Sequence, residues 1–200
     1  MRPKIAQPLI LQKCRSAAKI ASLLAKYYWK ESLPMIAHWS AGPSNQQEIA
    51  AEALAAEVPY AALRGSRTEM LALLRDHKSP KELRHQLAIK IGLSSKDEDV
   101  AALLKEYRSL SEPEDKIFFE AALFATHNRQ VAPVLIQYAK ENPAPVMRAG
   151  ARVELQELLD PKSYHEFVQW VVKNDPDDKN REDAAKELAL LDKPFPAQPR

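Results

Sequence analysis

Hydrophobic residues in this chain recur at helical spacing, in short segments that come in pairs. Successive pairs read SPKELRHQLAIKIGL then DEDVAALLKEYRSL, EPEDKIFFEAALFA then QVAPVLIQYAKE, and NPAPVMRAGARVELQELL then SYHEFVQWVVKN. Within each segment, apolar residues return every three or four positions. Polar or proline-containing stretches separate the segments, which is typical of short amphipathic helices. The pattern predicts an all-α protein built from helical hairpins.

The paired segments repeat with a regular period. Prolines precede or open the first helices at spacings of 37, 33, 30 and 33 residues, namely Pro43, Pro80, Pro113, Pro143 and Pro176. Eight residues after each proline stands an alanine, namely Ala51, Ala88, Ala121, Ala151 and Ala184. In the second helices, Leu74, Leu104, Leu135 and Phe167 keep spacings of 30, 31 and 32 residues. Such a period indicates stacked repeats, and we expect the alanines to mark equivalent places where a neighbouring helix approaches closely.

Two of the first helices carry a family resemblance. The fragments DPDDKNREDAAKELALL and NPAPVMRAGARVEL resemble the first helix of a short HEAT repeat of the phycobilisome-lyase-like type, with Arg148 and Arg181 each five residues past their prolines. The resemblance covers about residues 43 to 193. Phe118 stands where the third unit should have arginine, Arg84 comes one residue early in the second, and the first unit has an insertion around residues 58 to 66.

The resemblance implies a right-handed α-solenoid of about four helical-hairpin repeats. Residues 1 to 42 would then form a basic N-terminal helical cap, residues 43 to 193 the repeat domain, and residues 194 to 200 a disordered proline-rich tail. Tetratricopeptide repeats share the period, but the chain lacks their aromatic and glycine positions. They rank second.

The amino-acid composition agrees with short helices and limits the cellular compartment and the partners that we expect. Only 4 glycines accompany 15 prolines, which disfavours tight β-hairpins and predicts frequent helix breaks. A single cysteine, Cys14, excludes an intramolecular disulfide framework and favours a reducing compartment. Without a transmembrane segment, we expect a cytoplasmic protein, or one in an organelle matrix if the source is eukaryotic. The net charge of +2 is too small to demand a nucleic acid or an anionic membrane as partner.

The first 30 residues are strongly basic, in contrast to the small net charge of the whole chain. They contain seven basic residues and no acid before Glu31. The basic residues predicted on the first helix are Lys13, Arg15, Lys19, Lys26 and Lys30, and all but Lys13 share one stripe with Gln12 and Ser22. An apolar stripe is predicted at Ile10, Cys14, Ala17, Ala21, Leu24 and Tyr28. One interpretation is that the apolar stripe caps the open end of the solenoid; the other is that this helix contacts anionic lipid or RNA phosphates.

A possible partner-binding surface follows from the second helices. Four residues lie three positions after the aligned apolar residues and should form a ladder on one face, namely His77, Tyr107, Tyr138 and Trp170. Basic residues stand close to them in sequence, at Lys78, Arg108, Lys140 and Lys173. Aromatic rings with basic neighbours suit a groove that binds protein or follows phosphates. The alternative is that the tyrosines pack between repeats with only the hydroxyl exposed.

Candidate chemistry is sparse. The five histidines show no metal-binding spacing, and no nucleophile, phosphate-loop or dinucleotide motif occurs, so we expect no catalytic residues, metal or cofactor. The sequence favours a scaffold or accessory subunit that presents a helical surface to another protein or a larger complex. The alternatives are a nucleic-acid-binding protein that uses the basic first helix and, by analogy of fold alone, a HEAT-like bilin lyase or DNA glycosylase.

Overall fold

A computed structural model describes the backbone of residues 6 to 193 and the side chains of residues 16 to 193. The regular structure in this part of the chain is entirely helical, which confirms the predicted all-α class. The described part of residues 1 to 126 forms one compact unit, unit 1, and the described part of residues 127 to 200 forms another, unit 2. The predicted tail, residues 194 to 200, lies outside the described residues.

Both units consist of short helices. The described part of unit 1 contains α1 (Ala6–Tyr27), α2 (Trp29–Ser40), α3 (Ser44–Ala55), α4 (Tyr60–Gly65), α5 (Arg67–Arg75), α6 (Lys81–Leu93), α7 (Asp97–Ser109) and α8 (Pro113–Phe124). Unit 2 has a 3-10 turn (Arg129–Val131), followed by α9 (Ala132–Glu141), α10 (Pro145–Leu158), α11 (Pro161–Asn174) and α12 (Asp178–Leu191).

The five marker prolines stand at helix starts, as predicted. Pro43 and Pro80 are the N-cap residues of α3 and α6, and Pro113 is the first residue of α8. Helices α10 and α12 begin two residues after Pro143 and Pro176. Proline is tolerated at these positions because the first amide groups of a helix have no intrahelical acceptor.

The marked alanines are not all equivalent. Ala88, Ala151 and Ala184 are buried, Ala121 is half-buried and Ala51 is exposed. In α8 the buried alanine is instead the next residue, Ala122. For Ala51 the expectation is wrong, because this residue lines an open cleft between α3 and α6.

In unit 1, helices one period apart run parallel and are joined near both ends. Arg67 Nε lies 3.4 Å from Asp99 Oδ1, and the Arg75 guanidinium donates two hydrogen bonds to Glu106, of 2.6 and 2.8 Å. These contacts join α5 to α7, start to start and end to end. At the end of α6, a Cβ atom on Gly92 would lie 2.2 Å from the carbonyl oxygen of Ala122 in α8, so the two backbones pack in direct contact.

Arg84 is the buried cation of this packing. Its Nε donates to the Leu74 carbonyl oxygen at 2.7 Å, in the last turn of α5, and its Nη2 donates to Asp115 of α8 at 2.6 Å. The guanidinium also lies 4.2 Å from the centre of the Phe118 ring. The two residues that depart from the HEAT-like pattern are therefore in contact with each other.

In unit 2 a buried arginine ties α10 to the segment that leads into α12. Arg148 donates to both carboxylate oxygens of Asp175, at 3.0 and 2.8 Å, and to the carbonyl oxygen of Asn142 at 2.8 Å. Arg181 donates to the Asp175 carbonyl oxygen at 2.6 Å. Burial alone would raise the pKa of Asp175, but the hydrogen bonds from Arg148, the Asp177 amide and Asn180 outweigh it and hold the pKa below its ordinary value.

A second buried arginine extends this contact along α10 and α12. Arg152 Nη1 donates to the Asn180 carbonyl oxygen at 3.2 Å, and its Nε lies 3.2 Å from Glu187 Oε2 without hydrogen-bond alignment. The Tyr164 hydroxyl donates to the same carboxylate. Burial, and then this hydrogen bond, raise the pKa of Tyr164. Because Asn180 Nδ2 also donates to the Pro145 carbonyl oxygen at 3.0 Å, α10 and α12 run parallel.

Candidate functional site

The predicted partner-binding residues of unit 2 lie on α9 and α11. Lys140 Nζ lies 4.7 Å from the centre of the Trp170 indole, within range of a cation–π interaction. Trp170 stacks on the buried Phe167, with ring centres 6.4 Å apart and planes inclined by 12°. Phe167 thus anchors a half-exposed indole, and Lys140 and Lys173 are both exposed. Tyr138, on α9, is half-buried.

The predicted residues of unit 1 are arranged differently. The Tyr107 hydroxyl donates to Glu120 at 2.8 Å, so this side chain joins α7 to α8. Burial raises the pKa of Glu120, while the hydrogen bond from Tyr107 acts in the opposite direction. The geometry of Tyr107 matches the packing interpretation of the ladder. The neighbouring Arg108 is exposed.

His77 does not lie on a second helix, and that expectation is wrong. Helix α5 ends at Arg75, and His77 and Lys78 belong to the exposed turn that follows. The turn is shaped by Asp76, whose carboxylate accepts the Lys78 amide at 2.9 Å. His77 Nε2 lies 3.6 Å from Asp115. The Asp76 carboxylate binds the backbone amide of Lys78, which would otherwise be available to continue α5. The next helix begins just after Pro80.

Helix α1 packs against α2 and α3, with Ala21 and Ala25 buried on the packed side. Of the predicted apolar stripe, Ala17 and Leu24 are half-buried, as expected, but Tyr28 is exposed. Tyr28 breaks the pattern because α1 ends at Tyr27 and α2 begins at Trp29, so the stripe does not continue through residue 28.

Of the predicted basic stripe, Lys19 is exposed, Lys26 Nζ lies 5.9 Å from the centre of the Tyr27 ring, and Lys30 forms a 2.8 Å ion pair with Glu69. The side chains of Lys13 and Arg15 lie outside the described residues. A second apolar row on α1, which was not predicted, is formed by Ile20, Leu23 and Tyr27 and is exposed. Its helical spacing was visible in the sequence.

Two clefts open beside the contact between α3 and α6. One, of about 500 Å³, is lined by Ala51 and Leu54 of α3 and by Leu83 at the start of α6. The other, of about 540 Å³, lies at the ends of these helices, where Lys90 and Leu93 meet the connection around Pro59. The insertion around residues 58 to 66, which forms part of this connection and α4, was the only sign of this irregularity in the sequence.

Burial lowers the pKa of Lys90. Its Nζ donates to the Ala56 carbonyl oxygen at 3.1 Å, at the C-terminal end of α3, and lies 5.2 Å from the centre of the Trp29 ring. Ala56 is the C-cap residue of α3, where a cation is favoured by the negative end of the helix dipole. These contacts give Lys90 a structural role in joining α6 to α3.

No grouping among the described side chains has the composition of a metal site, and no helix in the described part of the chain is long and apolar enough to cross a membrane. Compared with known proteins, the chain matches no family model, no curated protein and no solved structure. The HEAT-like resemblance therefore stays a prediction from the sequence.

Proposed function

We propose that this protein is a non-catalytic scaffold or accessory subunit whose helical hairpins stack as a HEAT-like α-solenoid and hold a protein partner. The observation that carries the proposal is the parallel pairing of equivalent helices one period apart. It recurs as α5 with α7 in unit 1 and as α10 with α12 in unit 2. Stacked hairpins offer a long surface for binding, since each added repeat extends it.

The partner surface proposed in unit 2 consists of Trp170, Lys140 and Lys173. A half-exposed indole held by the buried Phe167 needs little ordering on binding, and aromatic residues of this kind contribute strongly to protein interfaces. The two exposed lysines favour a partner that presents acidic side chains around an apolar contact. Tyr107 is not included, because its hydroxyl is engaged with Glu120.

The test is affinity capture of the tagged chain from its native source, with quantitative mass spectrometry of wild type and three variants. We expect Trp170→Ala and the double variant K140E/K173E to lose the same partner by about tenfold or more. The exposed Lys179 of α12 supplies the matched charge control, and Lys179→Glu should retain the partner. Circular dichroism of each variant would show that the helical content is unchanged.

Three outcomes would overturn the proposal. If the chain is captured alone, or if all variants retain the same proteins equally, the scaffold role at this surface is wrong. If nuclease removes the captured material and its amount falls steeply with salt, nucleic-acid binding is favoured instead.

A further inference from the structure

Helix α1 exposes a row of large apolar side chains. Ile20, Leu23 and Tyr27 are 58%, 57% and 68% exposed, and their spacing places them on one side of the helix. The opposite side is the packed one, where Ala21 and Ala25 are buried. The row is therefore not the stripe that packs against α2 and α3.

The charges next to this row are basic. Lys19 and Lys26 stand seven residues apart, so they line the same flank of the row. Lys19 is exposed, and Lys26 extends along the ring of Tyr27. In the sequence, no acidic residue precedes Glu31. Lys30 contributes less to the field because it is paired with Glu69.

An exposed apolar row with lysines beside it fits an anionic membrane surface better than a nucleic acid. Nucleic-acid backbones are bound through basic side chains and polar groups, and exposed isoleucine and leucine add nothing to a phosphate contact. An anionic bilayer surface attracts lysines to its headgroups and accepts apolar side chains at the boundary with the acyl chains. Tyrosine is also favoured at that depth, because its ring is apolar and its hydroxyl reaches water.

We propose that α1 lies on an anionic membrane surface, with Ile20, Leu23 and Tyr27 inserted below the headgroups and Lys19 and Lys26 at the level of the phosphates. This surface is separate from the proposed protein-binding surface on α9 and α11. The helix lies in the plane of the interface, since its other side remains packed on α2 and α3.

The test is co-sedimentation of the full-length chain with two kinds of vesicle, one of phosphatidylcholine alone and one with about a third phosphatidylserine. We expect binding to the anionic vesicles, weakening with salt, and at least about tenfold weaker binding to the neutral ones. The variant I20S/L23S should lose about tenfold in partitioning, because it removes the inserted side chains. The variant K19E/K26E should abolish the preference for anionic lipid.

The control removes two equally exposed apolar side chains elsewhere. Val146 and Val153 of α10 are 75% and 64% exposed, and V146S/V153S should bind vesicles as the wild type does. Measured against the wild type with its three native tryptophans, brominated lipid should quench the fluorescence added by Leu23→Trp and not the fluorescence added by Val153→Trp.

The proposal is wrong if the wild type shows no preference for anionic vesicles, or if V146S/V153S weakens binding as much as I20S/L23S. It is also wrong if single-stranded RNA binds the chain and competes with the vesicles while I20S/L23S binds vesicles normally. None of these results bears on partner capture by Trp170, so the two proposals can fail separately.

Discussion

Units 1 and 2 both join helices one period apart through arginine–carboxylate pairs, and two of these pairs, Arg148–Asp175 and Arg75–Glu106, lie in different surroundings. In unit 2, Arg148 and Asp175 are both buried between α10 and the start of α12. In unit 1, the Arg75–Glu106 pair has similar two-bond geometry but lies at the surface, with the arginine side chain half exposed. The same chemistry thus supplies a buried link at Arg148 and a solvated link at Arg75, and unit 1 has a buried link of its own at Arg84 with Asp115.

The difference teaches that geometry alone does not set the strength of such a link. Breaking a buried pair leaves an uncompensated charge away from water, whereas a solvated group regains its hydration when its partner is removed. The surroundings of two helical glycines differ as well. Gly92 brings the α6 and α8 backbones together, whereas Gly150 of α10 has nothing within 4 Å of its missing Cβ atom.

The largest effect is expected from replacing the buried arginine. Arg148→Met leaves Asp175 buried without its cation and should lower the free energy of unfolding by about 3–5 kcal/mol. The matched replacement at the surface, Arg75→Met, should cost less than about 1 kcal/mol. Urea unfolding followed by circular dichroism measures both. Equal costs for the two variants would contradict the distinction between buried and solvated links.

The pH dependence of the first effect has a definite sign. Because the pKa of Asp175 is lower in the folded than in the unfolded chain, its contribution is present above the ordinary value of 3.8 and is lost as the pH falls through the folded value. The wild type should show this loss below 3.8, and Arg148→Met should not.

Smaller changes in stability, opposite in sign, are expected at two glycines. They test how closely α6 and α8 pack. In Gly92→Ala the new Cβ atom would meet the Ala122 carbonyl oxygen at 2.2 Å and the Ala125 Cβ atom at 2.7 Å, so α6 and α8 must separate. We expect a loss of about 1–3 kcal/mol. Gly150→Ala meets no neighbour and should gain about 0.5–1 kcal/mol, because alanine favours helix. Thermal unfolding would contradict the model of close packing if both variants were stabilised.

The smallest effect concerns Lys90 and its contact with α3. Lys90→Met keeps most of the stem over Trp29 and removes both the buried charge and the bond to Ala56, so near pH 7 the net change should stay within about 1 kcal/mol. Because burial lowers the folded pKa of Lys90, the unfolded chain binds more protons between that value and 10.5. The wild type should therefore gain stability relative to the variant as the pH rises in that window.

Urea unfolding from about pH 7 to about pH 10 measures this difference. Lys105→Met, at an exposed position of α7, is the control for loss of one lysine. A stability difference between wild type and Lys90→Met that is constant with pH would show that Lys90 remains fully hydrated in the folded protein.

Much of the helical framework was predictable from the sequence. Proline positions and apolar spacing located the starts of α3, α6, α8, α10 and α12, because helix initiation depends on groups within one turn of the chain. The α1 row of Ile20, Leu23 and Tyr27 was also visible as a pattern. The sequence pattern placed Ala21 on the stripe expected to pack, but it did not show that this row would stay exposed, since both sides of α1 carry apolar residues.

The ladder shows where local reasoning stops. Tyr107, Tyr138 and Trp170 are on the predicted helices, and Lys140 does lie over Trp170. His77 falls in a turn, because the Asp76 side chain captures a backbone amide beyond the end of α5. The bond from Tyr107 to Glu120 depends on how α7 rotates against α8, which apolar spacing does not specify.

By itself, the sequence determined the helical class, the period of the hairpins and the places where helices begin, since these depend on neighbours a few residues away. The tertiary structure alone decided that Arg148 meets Asp175, that Gly92 touches Ala122 and that α3 and α6 leave clefts beside Ala51 and Lys90. These contacts join residues about one period apart or more. They depend on the rotation and offset of whole helices, which follow from packing all the side chains together.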